Sequence, residues 1–481
     1  MGLPGHDIRY ICLSDLHLGE QESVLTPLKP PGTGDGVPTA APMLERLAAC
    51  LRHLVEQNEG DQLPTLIIAG DGLGLAFGSY QETLTLFGFL MESLFKPGAE
   101  VCDSIVYIPG NHDHHIWELA REAGYARQIG GSDKRHALPP EAHVTSPLPS
   151  AGFPSDLQNN LAARIGGGEQ PVTRVEVIYP NLALVRESRD RCVLIHHGHY
   201  AEDVYRFFSI ARRALFPGRP EPATVEEIEN ENYAWVDFVW SLLGRSGEAG
   251  RDFEALFLTL RNPDHVRARA SELAARMAKA LDLPLLPSER LERMVIKKSL
   301  DWYAGRFVTE RFVRDGPYSE STMEGLQKYV FGPSFRQLED VIGHVPGDLT
   351  IVLGHTHKPF ETIVSPKSVE RDVKVFNAGG WTIDSRRPFE QIGAAILFMN
   401  DALDVASLRL YNDGPGGGTV LLDVHGAEGQ SDRSDFGVAL QKRLSRSAGE
   451  NKLATVWDDL GASLHRRIKR RRELNRLQAG A

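Results

Sequence analysis

The sequence predicts an α/β layered fold with a partly parallel sheet and a large helical insertion. Three features carry that expectation. Short apolar runs alternate with segments of helical period through the first half of the chain. Apolar residues between 200 and 346 recur almost only at helical spacing. Strand-like runs then return in close succession from residue 349 onward. Alternating strands and helices are the pattern of a sheet covered by helices.

The elements follow in order. Residues 8–13 form the first apolar run, which stops at Ser14 and Asp15. Residues 20–42 are rich in Pro, Gly and Thr and read as a loop. Leu44, Leu47, Ala48, Leu51, Leu54 and Val55 keep helical spacing up to Asn58 and Gly60. Residues 66–69 are a strand run ending in Gly70 and Asp71. Leu84, Phe87, Leu90, Met91 and Leu94 mark a second helix, and 104–108 a third strand, closed by Pro109 to Asp113. Residues 130–171, rich in Pro, Gly and Ser, read as a long surface excursion. Strand character resumes at 175–185 and 192–195 and stops at His196, His197, Gly198 and His199. The helical insertion covers 200–346, and its aromatic residues, such as Phe207, Phe208, Trp235, Trp240 and Trp302, are expected to pack. Strands follow at 349–353, 360–364, 373–376, 394–398, 405–410 and 419–424. The polar stretch 426–450 reads as a linker before a helical tail. This divides the chain into a discontinuous catalytic unit, 1–199 with 347–425, an insertion at 200–346, and a linker with basic helix at 426–481.

The totals set limits. The 481 residues are 42% hydrophobic and 24% charged, which suits a globular chain with a large core. A formal net charge of −11 disfavours long nucleic acid as a partner. The four cysteines show no CxxC pair and read as small buried thiols in a reducing compartment. Met1 to Asp7 lack the features of a signal peptide, and no apolar run reaches the ~18 residues that would span a bilayer. A cytoplasmic location is the resulting expectation. Against the acidic total, Arg466, Arg467, Lys469, Arg470, Arg471, Arg472 and Arg476 crowd the tail. They would pair with the acidic body or, alternatively, attract phosphate-bearing partners and an anionic membrane surface.

Five strand-like runs end in metal-ligating residue types: Asp15 with His17; Asp71; Asn111, His112 and Asp113; His197; and His355 with His357. Ligand sites of α/β sheets gather beyond the carboxyl ends of strands. Residues two apart in extended chain point the same way, so Asp15 and His17 can approach one ion together, and His355 and His357 likewise. Gly70, Gly110, Gly198 and Gly354 permit tight turns. Carboxylate, amide and imidazole donors without thiolate suit Mn²⁺, Fe or Zn²⁺.

DLH at 15–17, GD at 70–71, GNHD at 110–113, HG at 197–198 and GHTH at 354–357 resemble the five ordered blocks of the calcineurin-like metallophosphoesterase superfamily. The resemblance covers about 8–200 and 348–412. It implies a β-sandwich flanked by helices, holding two divalent cations at one edge, with manganese expected before iron or zinc. It implies hydrolysis of a phosphate ester or pyrophosphate by water activated between the cations. Asp15, His17, Asp71 and His357 would hold the first cation; Asp71 would bridge to the second, held also by Asn111, His197 and His355. His112 would stabilise the phosphate and protonate the leaving oxygen, and Asp113 would orient His112. The second block often reads GDxxD, whereas Gly74 stands at its last position here. His197 is taken over His196 because the family ligand directly precedes the glycine.

Other residues keep two readings. His114 and His115 read as a polar helix start on the surface, or as substrate contacts; His199 as a supporting or surface histidine, or a phosphate contact. Asn377 to Trp381 read as a strand end with a packed tryptophan, although NAGGW also resembles a stretch that follows GHxH in some members. Together with DLHLG and the insertion, it points to the branch that includes UDP-2,3-diacylglucosamine pyrophosphatase; GNHD in place of GNRD and the larger insertion depart from that branch. Expected substrates are therefore phosphate-containing small molecules, nucleotides or lipid head groups. A catalytically silent scaffold is the non-enzymatic alternative. The insertion, joined to the chain beside His197 and His355, is expected to cap the site.

Overall fold

A computed structural model of the chain describes residues 5–28, 38–131, 138–165, 174–242, 320–366, 371–383, 389–413, 419–446 and 454–479. Thirteen strands among these form two sheets. In the larger, β1 (Tyr10–Leu13), β2 (Thr65–Ala69), β3 (Ser104–Ile108) and β5 (Arg174–Val177) run parallel. On the far side of β1, β11 (Phe389–Met399), β12 (Val405–Asp413) and β13 (Thr419–His425) continue the sheet antiparallel, and two-residue β4 (Phe153–Pro154) closes the other edge. The smaller sheet is ordered β6 (Asn181–Val185), β7 (Arg191–His196), β8 (Asp348–Leu353), β10 (Val373–Asn377) and β9 (Phe360–Val364).

The sheets stack face to face, and the period of two sorts the strand residues into layers. Cys12, Ile67, Val106, Ile195, Val352 and Leu397 fill the space between the sheets. Their sequence neighbours Ile11, Leu66 and Ile105 face outward and meet helices α1 (Pro42–Val55) and α2 (Tyr80–Leu94). On the opposite face of the sandwich, Cys192, Leu194 and Ile351 pack on described parts of the insertion through Tyr205, Trp240, Tyr329 and Leu338. The fold is thus a β-sandwich flanked by helices on both sides. Both outer faces are covered, which is why most strands read as continuous apolar runs.

Two segments differ from expectation. Within the supposed surface excursion, Asp156–Ile165 form helix α4, with Leu157, Leu161 and Ala162 against the main core. Surrounding Pro and Gly masked that short helical spacing. Within the supposed linker, Asp435–Arg446 form α9, which buries Phe436 and Leu440. The tail helix α10 (Ala454–Ala479) buries Trp457, Leu460, Leu464 and Ile468 in the same core. Its basic face is divided. Arg472 is buried and pairs with fully buried Asp413, and Arg467 donates to the Val24 carbonyl, whereas Arg466, Lys469 and Arg470 are exposed.

The described insertion residues are helical: α5 (Phe207–Leu215), α6 (Val225–Trp235), a π-helical turn (Val236–Leu242), α7 (Glu320–Tyr329) and α8 (Phe335–Ile342). Its central part, 243–319, including Trp302, lies outside the described residues. All four cysteines are buried free thiols. No helix among the described residues is long and apolar enough to cross a membrane.

Candidate metal centre

The carboxyl ends of β1, β2, β3, β7 and β8 meet at one edge of the sandwich. Three groups of donor atoms there lie within 4.8 Å of one another: Asp15, His17 and His357; Asp71, His197 and His355; and His17, Asp71 and His112. In the first group His17 Nε2 is 3.1 Å from His357 Nε2, and Asp15 Oδ1 is 3.3 Å from the latter. In the second, His197 Nε2 lies 3.2 Å from both Asp71 Oδ2 and Asn111 Oδ1. Asp71 Oδ2 is also 3.7 Å from His17 Nε2, so one carboxylate faces both groups. Every residue expected to hold a cation lies at this edge and is buried.

The backbone reaches this arrangement by an unexpected route. Asp15, His17, Asp71, His355 and His357 have φ of 53°, 46°, 49°, 72° and 57°. They are left-handed rather than extended, so the two-residue alternation does not apply. His355 and His357 accordingly point into different groups instead of sharing one. Asp and His are among the few residues besides Gly that occupy this region. Gly70, at φ +90°, is required on two counts, because a Cβ there would also run into the His197 ring.

The donor set fits divalent cations. Two imidazole nitrogens converge across 3.1 Å with carboxylates on either side, a mixed nitrogen and oxygen donor set that suits Mn²⁺, Fe or Zn²⁺. The far nitrogens of His197, His355 and His357 are hydrogen-bonded, and that of His17 lies beside a carboxylate, which leaves the near lone pairs for an ion. His197 Nδ1 donates to the Ala69 carbonyl (3.1 Å), and His355 Nε2 donates to Glu202 (2.9 Å). His357 Nδ1 sits 2.7 Å from the Thr382 hydroxyl, and His17 Nδ1 3.1 Å from Glu20 Oε2. Glu20, Glu202 and Thr382 were not singled out in the sequence. Acidic and hydroxyl residues near the blocks are common, and only folding shows which ones face a ring.

The charges are strongly coupled. Burial alone would raise the Asp71 carboxyl, but the His197 and His112 rings outweigh it and hold it far below the ordinary carboxylate range. Burial opposes charge on His197, yet Asp71 and Asp15 draw its proton affinity up to about 9. Asp113 goes the other way, raised first by burial and then by the Asp71 charge.

His112 and Asp113 lie side by side but are not partners. Asp113 accepts from the backbone N–H groups of Asp71, Leu73 and Gly110 and from the Tyr107 hydroxyl. None of these bonds reaches His112, so the orienting role expected of Asp113 is not what its geometry shows. It pins the loop after β2 to the loop after β3. The carboxylate on the His112 ring is Glu20, with Oε1 2.7 Å from Nδ1.

His114 is fully buried, contrary to a surface helix start, with Nε2 2.7 Å from Glu229 of α6 and Nδ1 3.4 Å from Asp237. Only partly exposed His115 begins α3 (His115–Gly130). Buried His199 lies 3.4 Å from the Tyr179 hydroxyl, and buried His196 packs against the Tyr329 ring, away from the ligand groups. Trp381 is packed and fully buried. The insertion meets the site directly: the Tyr205 ring is 5.2 Å from His355, and the Trp240 ring packs on Tyr205 at a tilt of 50°, 5.0 Å between centroids.

Residues 8–220 match the model of the family described as calcineurin-like phosphoesterase. That match ends before the GHTH block, which the fold delivers to the same edge through β8. No curated protein is similar enough to the chain to count as a relative.

Proposed function

We propose, from the match of residues 8–220 to the calcineurin-like phosphoesterase model, that the chain is a two-cation phosphoesterase that hydrolyses a phosphate monoester, diester or pyrophosphate. The observation that carries this is the single carboxylate of Asp71 facing two buried donor groups. Asp15, His17, Asp71 and His357 would hold one cation, and Asp71, Asn111, His197 and His355 the other. Manganese is the first choice, with iron or zinc compatible with the same donors. Such a pair, when bound, lowers the pKa of water and offsets phosphate charge.

The protein's own groups do the rest. His112, with Nδ1 engaged by Glu20, has its other nitrogen free to bind a phosphate oxygen and to pass a proton to the leaving oxygen. Asp113 keeps the loops of Asp71 and Asn111 in register through four hydrogen bonds. Tyr205 and Trp240 of the insertion limit water on the His355 side. The substrate class is a small phosphate-bearing molecule, a nucleotide or a lipid head group; among the described residues of the tail, exposed Arg466 and Lys469 could meet an anionic partner.

The test is hydrolysis of p-nitrophenyl phosphate and bis-p-nitrophenyl phosphate with added Mn²⁺, in wild type and His112→Ala. Turnover in wild type, reduced ~10²–10⁴-fold in the variant with two cations retained, supports the assignment. Two bound cations and no hydrolysis of either compound would favour a scaffold.

A further inference from the structure

The structure assigns to Glu20 the role of positioning residue for His112, taking the place left open by Gly74 at the end of the second block. This rests on the phosphoesterase reading for its effect on turnover but not for the contact itself. Glu20 is 5% exposed, and its two oxygens lie against two rings: Oε1 is hydrogen-bonded to His112 Nδ1 at 2.7 Å, and Oε2 is 3.1 Å from His17 Nδ1 in a charge contact. One carboxylate therefore fixes the ring expected to act on the phosphate relative to a ring expected to hold a cation. Each ring keeps its other nitrogen for the site.

Gly74 shows where the Glu20 side chain runs. A Cβ built on Gly74 would fall into the Glu20 side chain, and the three atoms nearest that point all belong to Glu20. The GDxxD form of the block would put a carboxylate at this position. Here the glycine leaves the space open, and a carboxylate from the loop after β1 enters it. Gly74 has no left-handed φ, so a side chain is excluded there by Glu20 rather than by the backbone. The Glu20 backbone is held on both sides, donating to the His17 carbonyl (3.0 Å) and accepting from Ser23 (3.2 Å). The Phe77 ring flanks His112 edge-on at 5.3 Å, which limits its movement away from the carboxylate.

The test is a carboxylate swap in the full chain: Glu20→Ala, and the double variant Glu20→Ala with Gly74→Asp. With saturating Mn²⁺, Glu20→Ala should lower kcat ~10–100-fold, as loss of a supporting hydrogen-bond partner does. KM should stay within about twofold, and the double variant should recover most of the loss. The second readout is independent of turnover. In Zn²⁺-loaded, histidine-¹⁵N-labelled protein, the His112 Nδ1–H resonance, identified by its absence in His112→Ala, should vanish in Glu20→Ala and return in the double variant. Glu20→Gln, which preserves volume, replaces Glu20→Ala if the latter fails to fold, and should shift the same resonance. A resonance indifferent to Glu20 overturns the proposal. A resonance that follows the swap in a protein that hydrolyses neither nitrophenyl ester supports the positioning contact and counts against the phosphoesterase reading alone.

Discussion

Glu229 offers a quantitative test of how the insertion is fastened to the site. This carboxylate of α6 is fully buried and receives His114 Nε2 at 2.7 Å, the Tyr179 hydroxyl at 3.0 Å and the Tyr200 hydroxyl. It thereby ties the insertion to the loops after β3 and β7. Burial opposes charge on His114, but Glu229 and then Asp237 outweigh it and raise its proton affinity to about 10. Set against an unfolded imidazole near 6.5, that gap corresponds to about 5 kcal/mol. Glu229 is closer to the ring than Asp237, at 2.7 against 3.4 Å, so it carries the larger share. Glu229→Gln should therefore destabilise the protein by about 3 kcal/mol at pH 6, the lower end for breaking a buried pair. The folded-state value is raised, so the stabilisation is complete below about pH 6.5 and is lost as pH climbs towards 10. Urea unfolding at pH 6, 8 and 9.5 should show wild type losing stability along this series and the variant losing less. A variant within about 0.5 kcal/mol of wild type, with an unchanged pH slope, would refute the latch.

Three further outcomes follow from contacts already described. Asp71→Asn should lower occupancy of both cations, measured by elemental analysis after dialysis, because one carboxylate faces both donor groups; loss of one ion with full activity would contradict the bridge. The Glu361 carboxyl, which burial would raise, is held down to about 2 by His425 and Arg409. It should contribute about 3 kcal/mol that is present above its ordinary value of 4.5 and disappears towards pH 2, so Glu361→Gln should flatten acid unfolding followed by circular dichroism. Arg472→Ala removes the cation paired with the fully buried Asp413 and should cost roughly 3 kcal/mol, read as a lowered thermal midpoint. An unchanged midpoint would mean that the tail helix does not depend on that pair.

Much of the fold was legible because the strands of this sandwich are covered on both faces. Eleven apolar runs located twelve of the thirteen described strands, and the abrupt ends of five of them in Asp, Asn and His located the site. What escaped was of two kinds. Helices α4 and α9 are short, and their apolar contacts are few enough to be hidden by neighbouring Pro, Gly and charged residues. The partners of the histidines escaped because they come from remote positions: Thr382 faces His357 from 25 residues away, Glu202 faces His355 from 153, and Glu20 faces His112 from 92. No local pattern selects one acidic residue among 64 for such a contact. The contacts of Asp113 were hidden for the same reason: it accepts backbone N–H groups of the β2 and β3 loops, while the carboxylate on the His112 ring comes from Glu20.

The left-handed backbone of the ligands links these observations. A non-glycine residue in that region costs about 1–3 kcal/mol, and five such residues meet at one edge. The conformation persists only where surrounding contacts over-determine it. Those contacts are visible: Asp15 accepts the His355 backbone N–H, Asp71 accepts that of His112, and Asp113 accepts three N–H groups from the β2 and β3 loops. The carboxylates expected to meet cations thus also fold the loops that present one another. Replacing a ligand carboxylate should consequently disturb loops as well as ion affinity, whereas replacing a ligand imidazole should disturb affinity first. Comparing Asp15→Ala with His357→Ala by hydrogen exchange of the His355 and Trp381 amides separates the two effects. Faster exchange of the His355 amide in the first variant alone is expected, since Asp15 accepts that N–H through its side chain; the Trp381 N–H, accepted by the Asp15 backbone carbonyl, reports whether the loop loosens with it. Equal exchange in both would mean that the ions, rather than the backbone contacts, hold the strained loops in place.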